Sequence, residues 1–568
     1  MDRIAHDIVV VGGGGAGLRA AIAGAEANKK ISIAILSKVY PMRSHTVSAE
    51  GGLAAVLKKD DTLESHGFDT VKGSDYLADQ DAVELFVQEA PKEVIQLEHW
   101  GLPFSREPDG SLATRWFGGM SVKRTLFAAD KIGFHMLHTL FQTSLKHDNI
   151  VRYDEYFVTN LTLNEGRVAG LMALDLKNGE LATISAKAVI IATGGPGRVY
   201  RFTSNASTCT GDGMALAYRA GVPLKDMEFI QYHPTCLPGT GILMTEAARG
   251  EGGYLINKDG ERFLKRYVPN KMELGPRDII SRAILTEIQE GRGMEGTYGS
   301  YVYLDLRHLG EEVIRKKLPF VKELAEKYSG INPMKDPIPV RPGTHYVMGG
   351  VHTDTQGFTG LPGLFAAGEA ACVSINGANR LGSNSLTECL VFGRLAGEAA
   401  AKYVQSLVSF PYIDQEAVRV EEKRIFDGVL RHEGGKENVA GLREELQETM
   451  EENVGVFREE GRMAEACKKI GEVKERFLQI TVSDRDRVFN TELMHALELE
   501  YMLDVAEAIA FSALSRRETR GSHYRLDYPG RDDKAYLSHT MVSKTDGEAR
   551  LEYLPAVITK WQPAARTY

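Results

Sequence analysis

The chain has little cysteine for its length. Five residues in 568, Cys209, Cys236, Cys372, Cys389 and Cys467, are scattered with no C-x-x-C pair. That spacing excludes a disulfide framework and leaves no ligand set for an iron–sulfur or zinc centre in this chain. Positive charge is not in excess either: 68 Lys and Arg against 77 Asp and Glu give a net charge of −9 and a pI near 6.0. A protein of that balance lacks the basic field that draws nucleic acid. No apolar run approaches the roughly 18 residues of a membrane-spanning helix, and the N-terminal apolar stretch is broken by glycines and Arg19. The first predicted strand begins so early that no signal or transit peptide is expected ahead of it. Together these absences predict a soluble, intracellular protein with reduced thiols. With 43% hydrophobic residues, a chain of this size is expected to form two to four domains.

Glycine, by contrast, is plentiful and placed. Asp7-Ile-Val-Val-Val11 reads as a buried strand, and Gly12, Gly14 and Gly17 follow in a G-x-G-x-x-G pattern that opens a small-residue helix through Ala21. Such a turn lets a pyrophosphate rest on the helix N-terminus, where unpaired N–H groups and the helix dipole favour anions. Two later segments have the same character. Lys187-Ala-Val-Ile-Ile-Ala-Thr193-Gly194-Gly195 ends an apolar strand in small residues, and Leu361-Pro-Gly-Leu-Phe-Ala-Ala-Gly368-Glu369 ends one in an acid able to accept from sugar or ribitol hydroxyls. The acid expected about 20 residues past the glycines is missing, because the second strand, Ile31 to Leu36, runs into Ser37-Lys38. That departure argues against a nicotinamide dinucleotide.

The three segments together resemble the FAD-binding Rossmann family. The likeness sharpens in Arg43-Ser44-His45-Thr46-Val-Ser-Ala-Glu50-Gly51-Gly52, Gln231-Tyr-His233-Pro-Thr, Thr245-Glu246-Ala-Ala-Arg249, Pro276-Arg277-Asp278, His345-Tyr-Val-Met-Gly-Gly350 and Asn376-Gly-Ala-Asn-Arg380-Leu-Gly. These look like the flavoprotein subunit of succinate dehydrogenase and quinol:fumarate reductase, and the match runs from Met1 to Arg566-Thr-Tyr568. The resemblance implies an α/β protein: a FAD-binding Rossmann-like domain (1–227 and 346–410) with an inserted α+β capping domain (228–345). A helical domain (411–520) and a small C-terminal region (521–568) would follow. Composition agrees with the helical part, since Glu416 to Arg431 and Gly441 to Arg476 are rich in Glu, Lys, Arg, Leu and Ala at helical spacing. The run Arg516-Arg-Glu-Thr-Arg520-Gly-Ser-His-Tyr-Arg525 receives no chemistry.

Site residues follow from the same resemblance. FAD contacts fall to Gly12, Gly14, Gly15, Ala16, Gly17, Ser37, Lys38, Ser44, His45, Thr46, Glu50, Gly51, Gly52, Thr193, Gly194, Asp212, Glu369, Asn384, Ser385 and Leu386, with a covalent flavin link through His45. A dicarboxylate needs two anion pockets, each charge-assisted bond contributing roughly 1.5–3 kcal/mol. The family pattern gives His233 and Thr245 to one carboxylate and His345 and Arg380 to the other. Pinned there, succinate or fumarate presents its central C–C bond for hydride transfer.

Proton transfer is given by the family to Arg277, with Glu246 and Arg249, three apart on one helix face, as a relay. Residue chemistry alone favours a histidine here, since a neutral guanidine at pH 7 costs about 7.5 kcal/mol. In fumarate reduction the difficulty vanishes, because an arginine starts charged and acts as an acid. The chain has no metal cluster of its own, so the resemblance implies an iron–sulfur partner subunit, a membrane anchor reacting with quinone, and a peripheral location on the cytoplasmic side of a prokaryotic membrane. Glu50 departs from the dehydrogenase pattern, in which Gln is common, and matches the reductases. Two other readings stand beside this one: an L-aspartate oxidase-type enzyme, which shares the fold without the covalent histidine, and a non-catalytic flavoprotein scaffold.

Overall fold

The structure, a computed structural model, describes residues 4–545 and 547–568. Strand β1 (Ile4–Val11) lies at the centre of the largest sheet because its inner half is apolar on both faces. It pairs in parallel with β2 (Ile33–Ser37) on one side and with Glu180–Ile191 on the other. Ile150–Asp154 extends the sheet beyond β2, and Leu364–Ala366 adds a further parallel strand against Glu180–Ile191. An antiparallel pair, Tyr156–Asn164 and Arg167–Asp175, completes that edge. Helix α1 (Gly15–Ala27) buries its whole small-residue face, and helix Asn384–Gln405 packs across it. Close approach requires glycine at two points: a Cβ on Gly12, at φ +116°, would stand 2.2 Å from Ala192 O, and one on Gly17 would stand 1.9 Å from Gly12 O. Two parallel strands and a helix can therefore meet at one turn.

The stretch between the flavin-type segments forms its own antiparallel sheet, in the order Ile230–Cys236, Ile338–Val347, Val302–Asp305, Tyr254–Ile256. Helix Arg277–Gln289 packs against its first strand over a separate apolar core that includes Leu237, Met244, Ile280 and Ile284. Strand Ile338–Val347 runs past residue 345 and carries the chain back toward the larger sheet.

Helices Gln415–Lys423, Val439–Asn453 and Glu460–Phe477 show the spacing expected of solvated faces. Behind them lies Thr491–Ser515, buried on nearly every side and packed against the antiparallel edge of the main sheet: Phe157 and Tyr501 stack at 5.9 Å. The hairpin Ser538–Thr545 with Glu548–Pro555 joins Leu224–Lys225 and Gly350–His352 in a five-stranded sheet. The arginines of the tail are not a surface patch: Arg516, Arg520 and Arg525 are fully buried, paired with Glu228, Glu518, Asp533 and Asp527.

Candidate active site

A cavity of about 710 Å³ lies just past the carboxyl ends of β1, Glu180–Ile191 and Leu364–Ala366, and the antiparallel sheet contributes to its wall. At the glycine turn, Gly14 leads into α1 with no side-chain cap, and no acid lies in the helix's first turn. Its N-terminal N–H groups are therefore free of competing carboxylates, the requirement for holding a phosphate group. Thr46 Oγ1 accepts from Gly15 N–H at 3.1 Å, tying the R-S-H-T loop to this turn.

Lys38 stands where an acid was expected. Its ammonium donates to Thr210 Oγ1 and Asp212 Oδ2 at 2.8 Å and to Glu498 Oε1 at 2.7 Å. Burial pulls its pKa down, and the two carboxylates more than reverse that. Asp212, the first residue of helix Asp212–Arg219, thus brings to the cavity wall the carboxylate that β2 lacks. Glu498 comes from the distant helix Thr491–Ser515, and nothing in its local sequence signals the contact.

His45 opens a short 3₁₀ turn, His45–Ser48, on the cavity wall. Ala206 N–H donates to its Nδ1 at 3.3 Å, and Asn205 Nδ2 lies 3.2 Å from its Nε2. Burial, reinforced by the charge of Arg198, lowers its pKa to about 4. The ring is therefore neutral at physiological pH and keeps a lone pair for bond formation.

His233 and His345 sit on neighbouring antiparallel strands with ring centroids 5.1 Å apart. Thr245 caps the short helix Glu246–Gly250. Arg277 starts helix Arg277–Gln289; its Nε donates to Glu246 Oε2 at 2.7 Å and its Nη1 to Gln231 Oε1 at 3.0 Å. Arg380 Nη2 donates to the same Gln231 oxygen at 3.0 Å and its Nη1 to Ser385 Oγ at 2.7 Å, with the guanidinium 4.2 Å from the Tyr346 ring. Gln231, to which no sequence pattern gave a role, therefore spaces two like charges. Buried polar atoms without partners remain here: His233 Nε2, Arg380 Nε, Ser44 Oγ and Glu50 Oε2.

Electrostatics agree with an anion site. Burial and the Arg277 charge push His233 and His345 well below the usual histidine range, and burial with Arg277 lowers Arg380 to about 10. Burial raises Glu246, yet the guanidinium groups of Arg277 and Arg249 outweigh it and hold the carboxyl below its ordinary range. Burial raises Glu369 to about 7, and burial with the Asp130 charge raises Glu50 well above the carboxylate range. Two carboxyls are thus held toward neutrality while the guanidinium groups stay, a positive excess that a dianion would relieve.

Most of the residues named from the sequence line this cavity, and three do not. Gly17 lies behind the turn, where it permits close packing. Arg249 is buried behind Glu246, 3.6 Å from its Oε2. The Asn384 side chain turns away, bonded to His66 and Thr70, so it offers the cavity no polar side-chain atom. Asp130 and Arg115 were missed: Arg115 donates to Glu50 O at 2.9 Å, and Asp130 accepts from Phe320 N–H at 2.7 Å.

A glycine-cradled helix terminus at the switch between parallel strands, opening into an anion-binding cavity, defines a dinucleotide-binding flavoprotein; the family described as "FAD binding domain" matches residues 7–386. A second family, "Fumarate reductase flavoprotein C-term", matches residues 443–568. The fumarate reductase flavoprotein subunit of Mycobacterium tuberculosis is 56% identical, covering 99% of each chain. The succinate dehydrogenase flavoprotein subunit of Rickettsia bellii is 43% identical over 99% of this chain and 98% of its own. A solved structure of Escherichia coli quinol fumarate reductase superposes with a TM-score of 0.96 at 50% identity, covering 100% of this chain and 99% of that one. The chain belongs to the family of fumarate reductase and succinate dehydrogenase flavoprotein subunits.

FAD fits the donor set: a helix α1 with no N-cap side chain and no acid in its first turn, glycines 12–15 lining the cavity at its start, and carboxyls at Asp212 and Glu369 for hydroxyl groups.

Proposed function

We propose that this chain is the catalytic subunit that interconverts succinate and fumarate, with FAD held covalently through His45. FAD, when bound, supplies the two-electron hydride donor and acceptor. The observation that carries the reading is the convergence of Arg277, Arg380, His233 and His345 on one cavity with a positive excess and unpartnered donors. His233 and Thr245 bind one carboxylate, and His345 and Arg380 the other. Neutral histidines donate one hydrogen bond each, and the Arg380 fork adds a charge-assisted pair. Arg277 moves the proton: in fumarate reduction its guanidinium gives one to the substrate carbon and is reprotonated through the Glu246 carboxylate, which accepts a proton from the Arg249 guanidinium behind it and passes it on, Arg249 being recharged in turn from water. The domain division is 1–227 with 346–410 for the flavin, 228–345 for the cap, 411–520 for the helical part and 521–568 for the C-terminal region.

Among the described residues no group of His, Cys, Asp and Glu is arranged to hold a metal, and no helix is long and apolar enough to cross a membrane. An iron–sulfur subunit that exchanges electrons with this one, and a quinone-reactive membrane anchor below it, complete the proposed assembly on the cytoplasmic face of a prokaryotic membrane. The reading is tested with the flavin-loaded protein, a reduced dye as donor to fumarate and an artificial acceptor for succinate. Saturable turnover in both directions, with none on L-aspartate, is expected. Oxidation of aspartate, or no reaction with either dicarboxylate, would reject it.

Glu50 sets an expectation for direction. Burial and the Asp130 charge raise its pKa, so the carboxyl takes on its negative charge at a higher pH than an ordinary glutamate does. That negative charge opposes the build-up of electrons beside it. Fumarate reduction is therefore expected to fall as pH rises, with an apparent pKa that vanishes in Glu50→Gln. Film voltammetry across about pH 6–9 with both substrates present measures this, and identical profiles would make Glu50 a packing residue.

A further inference from the structure

The relay behind Arg277 leads inward. The Arg249 side chain is 0% exposed, and its Nε and Nη2 have no hydrogen-bond partner. What holds it is the turn Met272–Leu274. Arg249 Nη1 donates to Glu273 O at 2.5 Å, and Gly119 N–H donates to Leu274 O at 3.0 Å. The adjoining Gly118 N–H donates to Glu246 Oε1. One turn thus fixes both members of the relay, Arg249 directly and Glu246 through the Gly118–Gly119 segment.

That turn closes on its own backbone, Gly275 N–H donating to Met272 O at 3.0 Å, but it is strained. Met272 sits at φ +50°, in the left-handed region that is unfavourable for a non-glycine residue. The side chain of Glu273, 3% exposed, anchors it: Oε1 accepts from Leu255 N–H at 3.1 Å and from Arg262 Nε at 2.8 Å. Arg262 is 40% exposed and stacks 4.0 Å from the Tyr254 ring. The pair therefore joins the turn both to strand Tyr254–Ile256 and to the protein surface.

We propose that Glu273 is a positioning residue for proton transfer, its carboxylate pinning the turn whose carbonyl groups set Arg249 and, through Gly118, Glu246. Removing the carboxylate leaves the dicarboxylate contacts untouched and loosens only the groups behind Arg277. The inference rests on the succinate–fumarate reading of the cavity. A misplacement of about 1 Å in such a relay is enough to cost on the order of 10²-fold in rate.

The test uses flavin-loaded wild type, Glu273→Gln and Arg262→Gln with fumarate and a reduced dye. Glu273→Gln is expected to lower kcat at least about tenfold, to leave KM within about twofold, and to raise the solvent deuterium isotope effect on kcat. Flavin absorbance and malonate affinity should stay at wild-type values. Arg262→Gln changes a half-exposed group, keeps the fold and should move kcat and the isotope effect in the same direction by less; it decides the matter if Glu273→Gln does not fold. Wild-type kcat and isotope effect in the variants would overturn the proposal, as would a fall in malonate affinity equal to the fall in kcat. A wild type inactive on fumarate would instead reject the parent reading.

Discussion

Arg277→Lys is expected to give a folded, flavin-loaded protein whose turnover in either direction falls by on the order of 10³- to 10⁴-fold. The guanidinium donates simultaneously to Glu246 Oε2 and Gln231 Oε1 while facing the cavity. A lysine has one nitrogen at the end of a flexible stem and cannot hold both bonds and present a proton to the substrate. Binding should suffer much less. One charge-assisted bond of roughly 1.5–3 kcal/mol is at stake, and Arg380, His233 and His345 remain. The kcat and the affinity for a non-reacting dicarboxylate, measured side by side, separate the two effects. Near-native succinate oxidation with an artificial acceptor would show that Arg277 is not the acid and base.

The second large effect concerns His45. Flavin should remain on the wild-type chain after acid denaturation and be lost entirely from His45→Ser, as read by ultraviolet fluorescence of a washed denaturing gel. The neutral ring, oriented on the cavity wall by Ala206 and Asn205, is suited to carrying the link, and the loop that bears it is tied to the phosphate turn through Thr46. A serine hydroxyl at this position is too short and too weakly basic to replace the imidazole. A dark wild-type band from fully matured protein would favour the aspartate oxidase reading.

Much of this molecule was legible in the sequence because its chemistry sits on short motifs whose spacing reflects local geometry. The glycines at 12, 14 and 17 announced a strand, a turn and a helix, and at 12 and 17 no other residue fits, since a Cβ would stand near 2 Å from backbone. The amphipathic helices after residue 411 announced themselves because one face of each meets water. Helix Thr491–Ser515 did not, since it is buried on nearly every side and has no stripe to detect; its acids Glu498 and Asp504 serve Lys38, Arg219, Lys474 and Lys544. The arginines at 516, 520 and 525 looked like a charged run for the same reason: their partners lie on other elements or in turns without periodicity. Asn384 shows the opposite failure. The motif marks its position, but the first turn of a helix points its side chain to His66 rather than to the cavity.

The bond between Lys38 and Glu498 spans 460 residues. At a synthesis rate of about 5–20 residues per second, those residues take roughly 25 to 90 seconds to emerge. During that interval β1 and β2 wait while the cap, then the strand Leu364–Ala366 and last the helix Thr491–Ser515 are made in turn. The early half therefore spends its youth as an open parallel sheet with apolar edges, the kind of slow, long-range topology that is exposed to aggregation. The carboxylate that completes the ion-pair set around Lys38 is thus among the last groups of the cavity's surroundings to be synthesised.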